Sequence, residues 1–408
     1  MSVYIGIDWS EEKHDVVFLN EAGAQIASLC IAHSLEGFVL FDRQRAKLGL
    51  ALGECVIGIE TAHSLFVDYL VGQNYPAVYV LPPNQVRANQ GRFRQSGAKD
   101  DPADARLIGE ILRTDRGRLR RWVPDSHLTR QMRVQVRWLI ELNQHTLRLS
   151  NQLRAVLLRY YPAALEVFSS GLSTQIAPEF VLAYPDPDSA HALSLAEFQR
   201  FAKAHRYPNP QRLPACYARL QAFSLTTPPD VVLLYRQQAQ QLAHLLLEIT
   251  RTRLQTLAQL QQLYRQHPNY RIFASLPQVG EKIGPALLAF FGDDRSRFPN
   301  LASAQTLAGT APVTERSGKH RFVHFRFACD KDWRLICQEW AAALVGHEPS
   351  PIALAYYQQI RPHCQSQSHA LRCVANRWLA VAWKLWQSGQ TYDEQLHLKQ
   401  RAERSQPR

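Results

Sequence analysis

The chain has 408 residues, 46% of them hydrophobic, and carries 47 Lys and Arg against 35 Asp and Glu, a formal net charge of +12. This length predicts two or three domains, since single cores rarely grow beyond about 250 residues. The hydrophobic content excludes a disordered polycation, and the positive excess points to a polyanionic partner, most commonly nucleic acid.

The N-terminus and the cysteines indicate the compartment. The first residues, MSVYIGIDWSEEKHD, lack the basic segment of a signal peptide, and no stretch approaches the roughly 20 apolar residues that span a bilayer. Seven scattered cysteines without a Cys-x-x-Cys pair favour a reducing cytoplasm. His363, Cys364, His369 and Cys373 could form a zinc site, but their spacing matches no common zinc motif, so ordinary helix and loop residues are the favoured interpretation.

The first third of the chain begins with three β-branched runs and then alternates helices with strands. Strands are predicted over Val3–Asp8, Val16–Asn20, Gln25–Ala32, Glu54–Glu60 and Ala77–Leu81. Helices are predicted over Leu35–Leu48, Ser64–Gly72, Pro83–Asn89 and Pro102–Leu112. This order is that of the RNase H-like fold, so we expect an α/β N-terminal domain over residues 1–122.

The middle of the chain, residues 123–268, has a different pattern. Apolar residues recur every three or four positions over 125–160 and 230–264, which predicts two helices on the order of 50 Å long. Such helices usually pair, either as a hairpin within the chain or as a coiled coil between subunits. The stretch 169–229 between them is rich in Pro and Ser and is typical of loops with short helices.

The last part, residues 269–408, is predicted to form a helical C-terminal domain. Its segment LPQVGEKIGPALLAFFG (276–292) is close to a helix-hairpin-helix, with Gln278 in place of the usual first glycine. Its turn could offer backbone N–H groups to a phosphate, or it could be a tight helix–helix turn that binds no DNA. A turn region over 309–318 and a basic segment over 319–326 follow, and the polar tail from Asp393 is expected to fray.

Four acidic residues have positions that suit metal binding. Asp8 and Glu60 end predicted strands, in IGIDWS and IGIETAHS, while Asp101 and Asp104 lie three apart near a predicted helix start. An RNase H-like sheet would bring all four to one end. Carboxylates suit Mg²⁺, and two such ions can promote displacement at a phosphodiester. Asp100 is an alternative to Asp101, which we prefer because its spacing to Asp104 keeps both on one helical face.

A serine in a basic segment is the second candidate. Ser317 precedes Gly318 in TERSGKHRFVHFR, with Arg316, Lys319 and Arg321 close in sequence. A serine hydroxyl attacks a phosphate only when its proton is removed and the phosphate is neutralised. From these residues alone, a plain turn serine in a phosphate-binding loop remains the favoured alternative.

These motifs together resemble one known family. IGIDWS, IGIETAHS, the pattern Lys99, Asp101, Asp104, Ala105, and the segment LPQVGEKIGPALLAFFG followed by LAGTAPVTERSGKHR are similar to the insertion-sequence-110 family of bacterial transposases. The resemblance covers about 3–121 and 272–386. It departs from the family pattern at Gln278 and at Asp100, where the family often has a small polar residue.

The resemblance implies an RNA-guided recombinase in the bacterial cytoplasm. Its RuvC-like domain would hold Mg²⁺ on Asp8, Glu60, Asp101 and Asp104, and its C-terminal transposase domain would supply Ser317 as the nucleophile. A bridge RNA would pair with donor and target DNA. A homo-oligomer, dimer or tetramer, would form composite sites that cut and rejoin strands through a phosphoserine linkage.

Basic residues near the acidic motif could contact these nucleic acids. We expect contacts from Arg87, Arg92, Arg94 and Lys99 before the Asp pair, and from Arg316, Lys319 and Arg321 around the serine. Arg130, Arg133 and Arg137 could extend the basic track along the first long helix.

Two other functions remain open on the sequence. A RuvC-type metal-dependent nuclease would hydrolyse nucleic acid with water and need no serine. A catalytically inactive regulator would bind DNA or RNA without using the carboxylates. An actin-like or sugar-kinase ATPase is less favoured, because IGIDWS is followed by no second phosphate motif.

Overall fold

The computed structural model describes residues 2–61, 64–93, 101–168, 171–222, 228–318 and 320–405. The chain divides into two compact units, unit 1 over Met1–Pro124 and unit 2 over Asp125–Arg408. None of the described helices is both long enough and apolar enough to cross a bilayer. The division between 123–268 and 269–408 stays a prediction.

Unit 1 is a mixed α/β structure built on one five-stranded sheet. Its strands are β1 (Val3–Trp9), β2 (Lys13–Leu19), β3 (Gln25–Ala32), β4 (Cys55–Ile59) and β5 (Val78–Val80). Their spatial order is β3-β2-β1-β4-β5. The first three strands pair antiparallel, and β4 and β5 join parallel to β1. The sequence therefore predicted all five strands, with small shifts at their ends.

Four helices cover the two faces of this sheet. They are α1 (Leu35–Lys47), α2 (Leu65–Gly72), α3 (Pro83–Phe93) and α4 (Asp101–Asp115). Alternate residues of β1, such as Ile5 and Ile7, share a core with Phe38 of α1 and Phe66 of α2. The opposite face is packed by α4, whose Ile108 shares a core with Val56 of β4. Because strand side chains alternate between faces, the sheet can bury apolar residues on both sides.

Unit 2 is mainly helical and is organised around two long helices. These are α5 (His127–Tyr160) and α10 (Pro229–Gln266). Thr129 contacts His267, just beyond α10, whereas Tyr160 stacks on Tyr235 near the start of that helix. The pair is therefore antiparallel within the chain, which realises the hairpin alternative of the sequence analysis.

Each end of this helix pair belongs to a different core. The end near Tyr160 packs with four short helices: α6 (Ile176–Ala183), α7 (Pro187–His191), α8 (Leu195–Ala204) and α9 (Leu213–Ala222). The end near Met132 packs with the C-terminal helices around a group of fully buried tryptophans, which includes Trp333, Trp340, Trp378 and Trp386.

The C-terminal elements of unit 2 are α11 (Tyr270–Ala274), α12 (Gly280–Phe291), α13 (Leu301–Leu307), β6 (Val313–Ser317), β7 (His320–His324), α14 (Lys331–Val345), α15 (Pro351–Ile360), α16 (Gln367–Ser388) and α17 (Glu394–Ser405). Two expectations were wrong here. The turn region and basic segment form an antiparallel β-hairpin, so this part is not wholly helical. The tail forms a helix over Glu394–Ser405, where fraying was expected, and its His397 packs against the ring of Trp378.

Candidate active site

Asp8 and Glu60 lie at the same edge of the unit 1 sheet. Strands β1 and β4 run parallel, and Ile7 is in register with Ile59. Asp8 and Glu60 are the next residues of their chains, and both are half-buried. Since the carboxyl ends of parallel neighbouring strands meet at one edge, the fold brings together the two strand-end carboxylates that the sequence singled out.

Glycines two residues before each carboxylate let α4 approach the sheet closely. A Cβ atom built on Gly6 would lie 1.9 Å from the Ala105 carbonyl oxygen and 2.5 Å from the Gly109 nitrogen. One built on Gly58 would lie 2.7 Å from Leu112 Cδ1. Because side chains two apart on a strand share a face, Asp8 and Glu60 are on the face that α4 covers.

Helix α4 supplies the other two predicted metal ligands. Asp104 directly precedes Ala105, the residue that contacts Gly6. Partial burial raises the pKa of the Glu60 carboxyl, and the charge of Asp104 raises it further. Asp101 is the first residue of α4, one turn before Asp104, but its side chain lies outside the described part of the structure. The carboxylates of Glu60 and Asp104 are thus close enough to repel each other.

A further carboxylate, which sequence reasoning missed, lies beside Asp8. Asp15 of β2 is directly paired with Asp8 across the antiparallel ladder, and paired residues point to the same face. Like charges in such a position destabilise a sheet unless a cation compensates them. Only the register of the predicted β1–β2 hairpin could have identified Asp15, and the sequence did not fix that register.

The basic residues around the acidic edge differ in their partners. The charge of Arg87 in α3 acts against the rise in the Glu60 pKa, so this guanidinium lies near the carboxylates. Arg92 pairs with Asp115 at the end of α4, and this bond lowers the pKa of Asp115. Arg94, Lys99 and the alternative ligand Asp100 lie outside the described residues.

Two arginines of the expected track on α5 bind acidic residues of unit 2 instead. Arg133 Nη2 is 2.6 Å from Asp125 Oδ2, and Arg137 pairs with Asp330 at 2.9 Å and with Asp332 at 2.8 Å. These ion pairs hold α5 to neighbouring segments. The partners of Arg133 and Arg137 therefore favour a structural role over contact with nucleic acid.

Ser317 is the last residue of β6, at the tip of the β6–β7 hairpin in unit 2. It is exposed and pairs with His320, the first residue of β7. Gly318 follows with φ of +57°, a left-handed conformation that suits glycine in a two-residue turn. Lys319, the next residue, lies outside the described part of the chain. The serine is thus held at a strand end, not within the turn that its sequence suggested.

The two faces of this hairpin carry different side chains. Ser317, His320 and Phe322 share one face, where the rings of His320 and Phe322 stack with centroids 6.2 Å apart. Arg316 and Arg321 are paired directly on the other face and are both exposed. Two like charges in a cross-strand pair repel each other, and a bound phosphate would relieve this repulsion. The position of His320 opposite Ser317 was missed, because the sequence did not predict strands here.

The segment over 276–292, expected to be close to a helix-hairpin-helix, has a strained residue near its start. Gln278 takes φ of +56°, the conformation for which the usual glycine is suited. Two hydrogen bonds hold this turn in place. Trp340 Nε1 donates to the Pro277 carbonyl oxygen at 2.9 Å, and Gln278 Nε2 donates to the Glu348 carbonyl oxygen at 2.8 Å. The segment thus keeps the backbone turn in spite of its unusual residue.

Comparison with known proteins identifies the class. A family model of DEDD transposases of the IS110 type matches residues 5–162. The model of the IS116/IS110/IS902 transposase family matches residues 270–358. The first match contains Asp8, Glu60, Asp101 and Asp104, and the second contains Ser317.

Individual relatives extend the similarity over nearly the whole chain. The IS117 mini-circle protein of Streptomyces coelicolor, which is named as a transposase, is 31% identical over 97% of this chain and 96% of its own length. An IS110 protein of the same organism is 24% identical, with 97% and 96% covered. An IS900 protein of Mycobacterium paratuberculosis is 23% identical, with 96% and 97% covered. The chain belongs to the IS110 family of insertion-sequence transposases.

Membership of this family supports three general statements about the chain. Transposases bind DNA, and the family implies an enzyme that cuts DNA strands and rejoins them. The matched DEDD domain suggests dependence on a divalent metal ion. The similarity to this family that the sequence motifs indicated is therefore confirmed.

Proposed function

We propose that the chain is a recombinase that cuts and rejoins DNA with a serine nucleophile and a carboxylate-bound Mg²⁺ ion. The observation that carries the proposal is the meeting of Asp8 and Glu60 at one sheet edge, beneath the helix that contains Asp104. The strand order β3-β2-β1-β4-β5 supports an RNase H-like, RuvC-like interpretation of unit 1.

The carboxylates fit a hard divalent cation. Glu60 is half-buried and its pKa is raised by burial and then by Asp104, so its ionised form is disfavoured without a compensating charge. We propose that Asp8, Glu60, Asp101 and Asp104 hold Mg²⁺, which prefers such oxygen ligands. When bound, this ion would neutralise charge on the scissile phosphate and polarise it.

Ser317 is proposed as the group that attacks the phosphate. Its Oγ forms a bond to phosphorus as the bond from phosphorus to the departing deoxyribose oxygen breaks, which leaves a phosphoserine linkage and a free DNA hydroxyl. His320, opposite Ser317 on the same face, is proposed to accept the serine proton and to pass it to the departing deoxyribose oxygen. Rejoining reverses the step: a DNA hydroxyl attacks the phosphoserine, and Ser317 leaves with the proton returned.

The positive charge is proposed to serve two kinds of nucleic acid. A bridge RNA would pair with donor and target DNA, and the net charge of +12 supports binding of polyanions. Arg316 and Arg321, exposed and paired on the hairpin, are proposed to hold the DNA backbone near Ser317. Arg87 lies near the carboxylates. We also propose a dimer or tetramer and the domain limits 1–122, 123–268 and 269–408.

A strand-cleavage assay with the element's end sequences and its flanking non-coding RNA tests this function. Ser317→Ala should abolish the covalent protein–DNA adduct and recombination, whereas Thr314→Ala, which removes another exposed hydroxyl of β6, should retain both. Asp8→Asn and Glu60→Gln should also abolish cleavage.

The other functions give different results in the same assay. If the protein is a metal-dependent nuclease, cleavage survives Ser317→Ala and no adduct forms. If it is an inactive regulator, Asp8→Asn and Glu60→Gln leave both nucleic-acid binding and biological effect intact. Omission of the RNA tests guidance, because cutting at the same sites without RNA contradicts that part of the proposal.

A further inference from the structure

Three side chains near the start of α16 form a group with the chemistry of a metal site. One ligand atom from each of Cys364, His369 and Cys373 lies within 4.8 Å of those of the other two. Among the described residues, this is the one group of three or more His, Cys, Asp or Glu side chains that meets this condition. All three side chains are partly buried.

Local structure explains how a sequence without a common zinc motif makes this group. Ser366 caps α16, its hydroxyl accepting a bond from the His369 N–H at 3.1 Å. His369 and Cys373 are four residues apart and so lie on the same side of the helix. Cys364 precedes the cap, and its carbonyl oxygen accepts a bond from Arg361 Nη1 at 3.3 Å. The closeness of the Cys364 sulfur to the ligand atoms of His369 and Cys373 shows that the chain before α16 lies beside the first helical turns.

The donor atoms are those that zinc prefers. Two sulfurs and one imidazole nitrogen suit Zn²⁺, which commonly takes Cys and His ligands in a tetrahedral arrangement, whereas Mg²⁺ prefers oxygen. Burial and the neighbouring Cys364 raise the pKa of the Cys373 thiol. A cation between the sulfurs would stabilise both as thiolates.

We propose that Cys364, His369 and Cys373 bind one zinc ion, which fastens the segment before α16 to that helix. The three residues would supply three of four ligands, with water in the fourth position. The group lies outside both family-model matches, which end at residues 162 and 358. Its occupancy does not depend on the proposed serine chemistry.

Such a zinc ion would also support the base of the serine hairpin. Arg372, next to Cys373, lies over the ring of Phe325 at 4.7 Å, and Arg334 lies over the same ring at 4.9 Å. Phe325 directly follows β7. An ion that fixes the start of α16 therefore restrains Arg372 and, through it, the strand that faces Ser317.

Cobalt substitution tests the site with the full chain. The reduced, metal-stripped protein is titrated with Co²⁺, and thiolate-to-cobalt charge-transfer absorption is recorded; carboxylates on unit 1 cannot produce this band. We expect the band to reach its full intensity at one equivalent of Co²⁺, and to disappear when Zn²⁺ displaces the cobalt. Loss of a residue that only supports a metal ligand lowers metal affinity by about 10–100-fold. Cys364→Ser and Cys373→Ser, which remove ligands, should each lower the affinity for Co²⁺ by at least this factor.

Two substitutions serve as matched controls. His363→Ala changes an exposed histidine beside the group, and Cys30→Ser changes an exposed cysteine of unit 1; both should leave the titration unchanged. Circular dichroism establishes that each variant is folded. The proposal is overturned if the folded wild type gives no thiolate band, or if the band survives in the Cys364→Ser and Cys373→Ser double variant. Ser317→Ala should bind Co²⁺ normally, which separates this test from that of the proposed function.

Discussion

Gly6→Ala tests how the fold positions the carboxylates. The new methyl group would lie 1.9 Å from the Ala105 carbonyl oxygen, so α4 would have to retreat from β1 by about 1 Å or more to reach an ordinary contact. Overpacking typically costs about 1–3 kcal/mol. We expect a loss near the upper end, about 3 kcal/mol, because the contact is with backbone, and no side chain can rotate away.

The same displacement should damage catalysis more than it damages folding. Asp104 precedes Ala105 and moves with it, whereas catalytic groups must be held within about 0.5 Å of their productive positions. A misplacement of about 1 Å can cost about 100-fold in rate. We therefore expect Gly6→Ala to lower DNA cleavage by about 100-fold or more, even under conditions where unit 1 remains folded.

Hydrogen–deuterium exchange and the cleavage assay measure the two effects. Exchange of the amides of β1 and α4 reports the local free energy of opening, and cleavage is measured on the same preparations. Gly58→Ala should be milder, because its methyl would meet side-chain atoms of Leu112 and Ile108 and no backbone atom. Gly53→Ala, with no atom within 4 Å, is the control. If Gly6→Ala matches Gly53→Ala in both measurements, the close approach of α4 does not position the site.

Three further predictions concern single titratable groups. The raised pKa of Glu60 means that its ionised form opposes folding at neutral pH. In the absence of divalent cations, Glu60→Gln should therefore have a higher melting temperature than the wild type; an equal or lower melting temperature contradicts this. Burial, and then the charge of His33, lower the pKa of His14 from 6.5 to about 4. The folded state therefore favours neutral His14, and the stability that this contributes is complete above about pH 6.5 and is lost as the pH falls towards 4. We expect His14→Phe to reduce the decrease in the urea unfolding midpoint over that pH range. His320→Ala should slow adduct formation by about 100-fold or more in a single-turnover assay, whereas His324→Ala, at the end of β7 far from the tip, where it pairs with Val313, should have a much smaller effect.

The sequence predicted the strands and carboxylates of unit 1 because their signals are local. In both IGIDWS and IGIETAHS a run with β-branched residues is followed directly by an acid, Asp8 or Glu60, and this pattern indicates both the strand and the position of the carboxylate. The pairing of Asp8 with Asp15 depends on the register between two strands, which no single segment specifies. The role of Gly6 depends on a helix about 100 residues later in the chain and was likewise not predictable.

The hairpin of unit 2 escaped prediction for a different reason. Strand patterns are recognised from the alternation of buried apolar and exposed polar residues, but β7 is exposed throughout and β6 almost throughout. Without a buried face, the pattern of TERSGKHRF indicated only a basic turn. The sequence grouped Cys364, His369 and Cys373 with His363 but did not favour a zinc site, because their spacing matches no common motif. Their approach depends on the helix start at Ser366, which spacing alone does not reveal.

Isolation of the covalent intermediate tests the central proposal most directly. The protein is incubated with the element's DNA ends, its RNA and Mg²⁺, then denatured and digested, and the peptides are analysed by mass spectrometry. We expect a nucleotide attached through phosphate to Ser317, with no such peptide from Glu60→Gln or from reactions without divalent metal. DNA cleavage at the element ends with Ser317 unmodified, and undiminished in Ser317→Ala, would contradict the proposed serine chemistry.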